Sequence, residues 1–202
     1  MPKISNNPIS VADWGIINAD MSIANNAMKK ENDLAMLNMA GYHYAQAIEK
    51  TLKGLVKANN ERSRCFGTHD LCFIVVETEL CCPGFIQKFP YIAHNATELS
   101  SANGIRYGNK TIRKMDLNIL AKEAQTLVNV VETELINATG FSKDKLKREA
   151  GIAIKKEASS LSFDNNIPNP NTEEKPNVPF KEKQKNKSNN KQNKCKKNDK
   201  EL

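Results

Sequence analysis

Apolar residues recur along the chain at spacings of three and four, the period that gathers side chains on one face of an α-helix. Trp14, Ile17, Met21, Ala24 and Met28 make a first stripe, and Leu34, Leu37, Gly41, Tyr44, Ile48, Leu52 and Leu55 a second, longer one. A third helix is predicted from a cap at Thr68 or Asp70 through Leu71, Ile74, Val75 and Thr78. Its β-branched run also suits a strand, but no turn signal or partner strand follows it. Pro90 suits the first turn of a fourth helix running to about Gly104 or Gly108. Leu117, Leu120, Ala124, Leu127, Val131 and Leu135 mark a fifth, ended by Gly140, and Ser142 caps a sixth, charged helix with Leu146, Ala150 and Ile154 as its narrow stripe.

With no alternation of strands and helices and no internal repeat, the pattern predicts an all-α fold, an up-and-down helical bundle of about five helices. The predicted bundle covers residues 9–140, a charged helix is appended over 141–161, and a tail occupies 162–202. From Asp164 onward only Ile167, Val178, Phe180, Cys195 and Leu202 are apolar, and four prolines interrupt any helix. Such a segment cannot offset its ordering entropy by burial, so disorder is expected.

Charge sharpens this division. Residues 1–141 carry 14 Lys and Arg against 14 Asp and Glu, whereas residues 142–202 carry 16 against 9, so the formal +7 belongs to the last part of the chain. A basic patch on the bundle must therefore be argued locally. The Lys- and Asn-rich end, from Lys181 on, reads either as a polyelectrolyte arm for RNA or DNA or as a solvated low-complexity tail. The longest apolar runs, such as Cys72–Val76, fall far short of the ~20 residues that cross a bilayer. Met1 to Pro8 lacks the features of a secretory signal. Five cysteines, with Cys81 and Cys82 adjacent, form neither a disulfide framework nor a spaced zinc quartet, so reduced thiols in the cytoplasm are expected.

Candidate chemistry is concentrated in two places. Gln46, Glu49 and Lys53 share one face of the second helix, with Glu49 preceding Lys53 in the favourable order. This reads either as an ion-paired surface worth a few tenths of a kcal/mol or as a wall of an anion-binding groove with Lys50 or Lys53 aimed at phosphate. Of the three histidines, His43 reads as a packing or surface residue and His94 as a mid-helix residue without an acidic neighbour. His69 differs because Arg62 and Arg64 precede it; it also stands where it can serve as the first residue of a helix and complete a cap with Asp70.

These stretches resemble the HEPN domains (higher eukaryotes and prokaryotes nucleotide-binding). Gln46-x-x-Glu49-Lys50-x-x-Lys53 is similar to the family's second helix, Thr68-His69-Asp70-Leu71 to the motif opening its third, and Ala102 to Gly108 to its Ala-Arg-Tyr-Pro stretch, with Arg106 and Tyr107 in place and Gly108 where the family has proline. The match spans about residues 10–138. The resemblance implies a domain that binds RNA or a nucleotide through Lys50, Lys53, Arg62, Asp70 and Arg106. Many members are metal-independent endoribonucleases of the toxin type, marked by Arg, four to six residues, then His. Arg64-x4-His69 and Arg62-x6-His69 both fit, with Ser63 and Cys65 in the position that often holds a small polar residue. Catalysis by Arg64 and His69 so implied needs no cofactor and no metal: the imidazole takes a proton from the ribose 2′-hydroxyl, and Arg stabilises the charge on the phosphorane. The resemblance further implies a homodimer and a nucleotidyltransferase partner acting as antitoxin. The rival expectation is a non-catalytic nucleotide-binding and dimerisation module acting with that partner.

Overall fold

A computed structural model describes residues 9–30, 32–101 and 114–162. Arg106 and its Ala-Arg-Tyr neighbours, and the tail from residue 163, lie outside the described residues. The described chain is all-helical: α1 (Val11–Met28), α2 (Leu34–Asn59), a 3-10 turn (Arg64–Gly67), α3 (Leu71–Cys81), α4 (Phe85–Lys88), α5 (Pro90–His94), α6 (Ala96–Leu99), α7 (Lys114–Thr139) and α8 (Lys143–Ser162). Among the described residues no helix is long and apolar enough to cross a membrane.

Capping sets several of the helix starts. Ser10 Oγ accepts from the Asp13 N–H at 3.0 Å, and Asp33 Oδ1 accepts from Ala35 and Met36 at 2.9 and 3.1 Å. Each meets a backbone donor that the first turn of a helix leaves without a partner. At the other end of α7, Gly140 takes the positive φ of 66° that a non-glycine residue avoids, and its N–H closes the helix on the Ile136 carbonyl.

α2 is the central element and packs on α1, α3 and α7, while α1 also carries α8. Trp14, Ile17, Met21 and Ala24 of the first stripe are buried, as are Leu37, Tyr44, Ile48, Leu52 and Leu55 of the second and Leu117 through Leu135 of the fifth. Leu34 departs from its stripe: it is the first residue of α2, at the end of the bundle, and stays exposed. The charged α8 packs through Leu146 and Ala150, and the crossing with α1 is close because Gly15 lacks a side chain. A Cβ there would lie 2.9 Å from Ala150 Cβ.

The predicted fourth helix is broken. Pro90 opens α5 as expected, but a separate turn, α4, precedes it and α6 follows. The break at Phe89 (φ −126°, ψ 62°) follows from the proline ring, which forces the residue before it out of the helical region. The break at Asn95 has another cause: its side-chain amide donates to the Tyr91 carbonyl at 2.9 Å, competing with the helical ladder. Glu123 of α7 accepts from the Tyr91 and Ile92 N–H groups at 3.0 and 2.9 Å, supplying a cap across the bundle.

Glu79 plays a similar part for α4, accepting from Gly84 at 2.8 Å and from Ile86 at 2.8 Å. The backbone N–H of Ile86, then that of Gly84, hold its carboxyl below the ordinary 4.5. Because the folded value is depressed, the stabilisation is present above the unfolded pKa and is lost as pH falls through the folded one. Glu79→Gln is therefore expected to lower the melting temperature at pH 7 and to match the wild type in strong acid. Thermal melts across that range check this; a pH-independent difference would contradict it.

Candidate functional site

Two buried carboxylates organise the polar side of α2. Glu49 is 7% exposed, and its Oε1 accepts from Lys53 Nζ at 2.9 Å and from His69 Nδ1 at 2.8 Å. Asp20 of α1, 8% exposed, accepts from His43 Nδ1 at 2.8 Å through one oxygen and from Lys50 Nζ at 2.5 Å through the other. A buried carboxylate is costly unless paired and hydrogen-bonded, and each here has two cationic or N–H partners. Glu49 is therefore not part of an exposed ion-paired face: α2 is enclosed by three helices, and the glutamate lies inward.

The His69 ring is held at the mouth of this arrangement. Asp70, not His69, begins the helix: its Oδ1 accepts from Cys72 at 2.9 Å and Phe73 at 3.4 Å, so its carboxylate is engaged in capping α3. Thr68 Oγ1 accepts from the Asp70 N–H at 3.0 Å, and Ser100 Oγ accepts from Leu71 at 2.8 Å. This bonded turn leaves His69 outside the helix, with its side chain 83% exposed and one ring nitrogen tied to Glu49. A carboxylate can only accept, so Nδ1 carries a proton, and Nε2 has no hydrogen-bond partner among the described residues.

The 3-10 turn before it begins at Arg64, and Arg62 stands two residues earlier. Ser63 Oγ accepts from the Cys65 N–H at 3.1 Å and donates to Glu77 at 2.6 Å, anchoring the turn to α3, while Cys65 is buried in the core. Arg62 and Arg64 are exposed on either side of that anchor and have no ion-pair partner among the described residues. Ser63 is thus a structural residue whose hydroxyl is already engaged.

Next to the dyad lies a groove of about 260 Å³. α2 lines it with Lys50, Lys53, Gly54 and Lys57, α1 with Asp13 and Ile16, and the 3-10 turn with Phe66. Lys53 belongs to both the groove and the dyad, because its ammonium shares an oxygen of Glu49 with the imidazole. The structure therefore brings together Lys50, Lys53 and His69 on one side of α2; Arg62 and Arg64 are exposed near His69 in the chain with no hydrogen bond to it among the described residues, Asp70 is committed to its cap, and Arg106 falls outside the described residues. His94 is exposed at the end of α5, and His43 lies on Asp20 with Tyr42 edge-on at 5.1 Å.

Sequence reasoning missed Asp20, Lys57 and Phe66. Lys50, Lys53 and Lys57 follow the three-and-four spacing that places them on one face, a signal available in the sequence. Asp20 gave none, since its partners lie 23 and 30 residues away. Cys65, Cys72, Cys81 and Cys82 are free thiols. Burial, reinforced by Glu77, raises the Cys81 pKa, and burial does the same for Cys82, so neither resembles an activated nucleophile.

Neither the protein-family models, nor the curated proteins, nor the solved structures contain a match to this chain.

Proposed function

We propose that this chain is a HEPN-like RNA-binding domain and a metal-independent endoribonuclease of the toxin type. The observation that carries the reading is the 2.8 Å bond from His69 Nδ1 to the buried Glu49 carboxylate, on a ring whose other face is open to solvent. That arrangement selects the tautomer a general base requires. Nε2 takes the proton of a ribose 2′-hydroxyl, O2′ attacks the adjacent phosphorus, and the bond to O5′ breaks. The leaving O5′ takes a proton from water or from an imidazolium of a second copy facing the same cleft. Arg64, with Arg62 beside it, neutralises the non-bridging oxygens as charge develops.

The openness of His69 supports pairing of two copies, which together would enclose the scissile phosphate. A nucleotidyltransferase that covers or modifies this face fits the role of antitoxin. His69→Ala and Arg64→Ala are expected each to lower cleavage of single-stranded RNA by about 10²–10⁴-fold. Circular dichroism should stay helical in both; melting should be unchanged for Arg64→Ala, whose side chain is exposed, and lowered modestly for His69→Ala, which leaves Lys53 on the buried Glu49. Cleavage that persists in His69→Ala would remove the proposed base. A second reading, a non-catalytic nucleotide-binding module acting with that nucleotidyltransferase, is favoured by one feature: no hydrogen bond ties Arg62 or Arg64 to His69 among the described residues. It requires RNA or nucleotide binding without cleavage.

A further inference from the structure

The groove beside the dyad has a wall and a floor of different chemistry. Its wall is a ladder of Lys50, Lys53 and Lys57, one helical turn apart. Lys50 and Lys53 reach back to buried carboxylates, whereas Lys57 has no acidic partner among the described residues. The Asp13 carboxylate at the far edge accepts from the Ser10 hydroxyl at 2.7 Å. Phe66 contributes a partly exposed aromatic ring, although a ring of that size is ordinarily buried in a core. It lies three residues before His69, on a turn anchored to α3 by Ser63 and Glu77, so its position is fixed relative to the imidazole.

A cationic ladder matches a polyanion, and an exposed aromatic ring matches a planar partner. Duplex RNA satisfies only the first, because its bases are stacked on each other and its deep groove admits no side chain. A single strand satisfies both: an unstacked base lies on the ring while phosphates follow the lysines. We infer that this groove is a nucleotide subsite of the ribonuclease proposed above, in which Phe66 stacks a base of single-stranded RNA, Lys57 and Lys53 hold its phosphates, and the strand passes on to His69. The inference rests on that reading for its orientation, and it assigns how the strand is held: by stacking on Phe66 and by charge, with no base-edge readout.

Binding of the full chain to a labelled single-stranded oligoribonucleotide, to its 2′-deoxy counterpart and to a blunt RNA duplex separates the two ideas. The 2′-deoxy strand lacks the attacking hydroxyl, so it reports on the groove without cleavage. Phe66→Ala is expected to weaken both single strands by about tenfold at every salt concentration and to abolish the quenching of a 2-aminopurine placed in the strand, while Phe66→Tyr retains both. Lys57→Ala is expected to reduce the slope of log affinity against log salt by about 0.7. The duplex should respond to neither aromatic variant. Cleavage by wild type with unchanged binding and quenching in Phe66→Ala would overturn the groove assignment and leave the ribonuclease reading standing. Binding of the 2′-deoxy strand through Phe66, with no cleavage of RNA, would support the groove and remove the ribonuclease. Equal dependence of duplex and single strand on Phe66 would overturn the stacking role.

Discussion

Ile48→Asp is expected to leave the chain unfolded. Ile48 is wholly buried in the apolar core on the central helix, and total stability for a domain of this size is on the order of 5–15 kcal/mol. An unpaired carboxylate there costs about 3 kcal/mol or more, added to the loss of the aliphatic contacts. The neighbouring position shows why the penalty is not general: Glu49 is also buried, but a lysine and a histidine reach it. Ile48→Val, which removes one methylene without adding charge, should cost only about 0.5–1.5 kcal/mol. Circular dichroism and urea melts distinguish the two, and a helical, cooperatively melting Ile48→Asp protein would show that this face is not the core.

The second large effect is expected at Glu49. Replacing it with Gln keeps the shape and removes the charge that selects the Nδ1–H tautomer, since an amide can either donate to the ring or accept from it. The rate of RNA cleavage at saturating substrate should fall about a hundredfold or more, as expected when a base loses its orienting carboxylate. RNA affinity should change little, because Lys57, Phe66, Arg62 and Arg64 remain. Nitrogen chemical shifts of the His69 ring provide a readout that a merely structural role would not move: one tautomer in the wild type, a mixture in Glu49→Gln. An unchanged tautomer with a lowered rate would place the effect elsewhere.

These two positions also show where the sequence was legible and where it was not. The stripes through Ile48 and Leu52 were readable because a buried helix face repeats every three to four residues whatever it packs against. The same period named Leu71, Ile74, Val75 and Thr78 of α3 and the buried row of α7, all of them in the interior. It failed within the helix predicted from Pro90, which Asn95 breaks through its own side chain, and it missed the separate turn α4 before that proline. Charged residues were less legible still. A glutamate four residues before a lysine has the same pattern on an exposed surface as in a paired, buried site. What sets Glu49 apart is the packing of neighbouring helices around α2 and the bond from His69, 20 residues away, both tertiary facts. The Asp20 cluster is hidden for the same reason. His69 itself was found by its arginine neighbours, although its exit from the cap depended on Asp70 taking the first position of the turn.

In the proposed ribonuclease an imidazole oriented by Glu49 activates the substrate's own hydroxyl. End-group analysis of single-stranded RNA incubated with the purified full chain, with chelator present and any bound partner removed, identifies the nucleophile. The expected products are fragments ending in a 2′,3′-cyclic phosphate and beginning with a 5′-hydroxyl, with no cleavage of the phosphodiester that follows a lone 2′-deoxynucleotide, where the attacking oxygen is missing. Fragments bearing a 5′-phosphate, or cutting at the 2′-deoxy position, would contradict this mechanism, because both require a nucleophile other than the ribose.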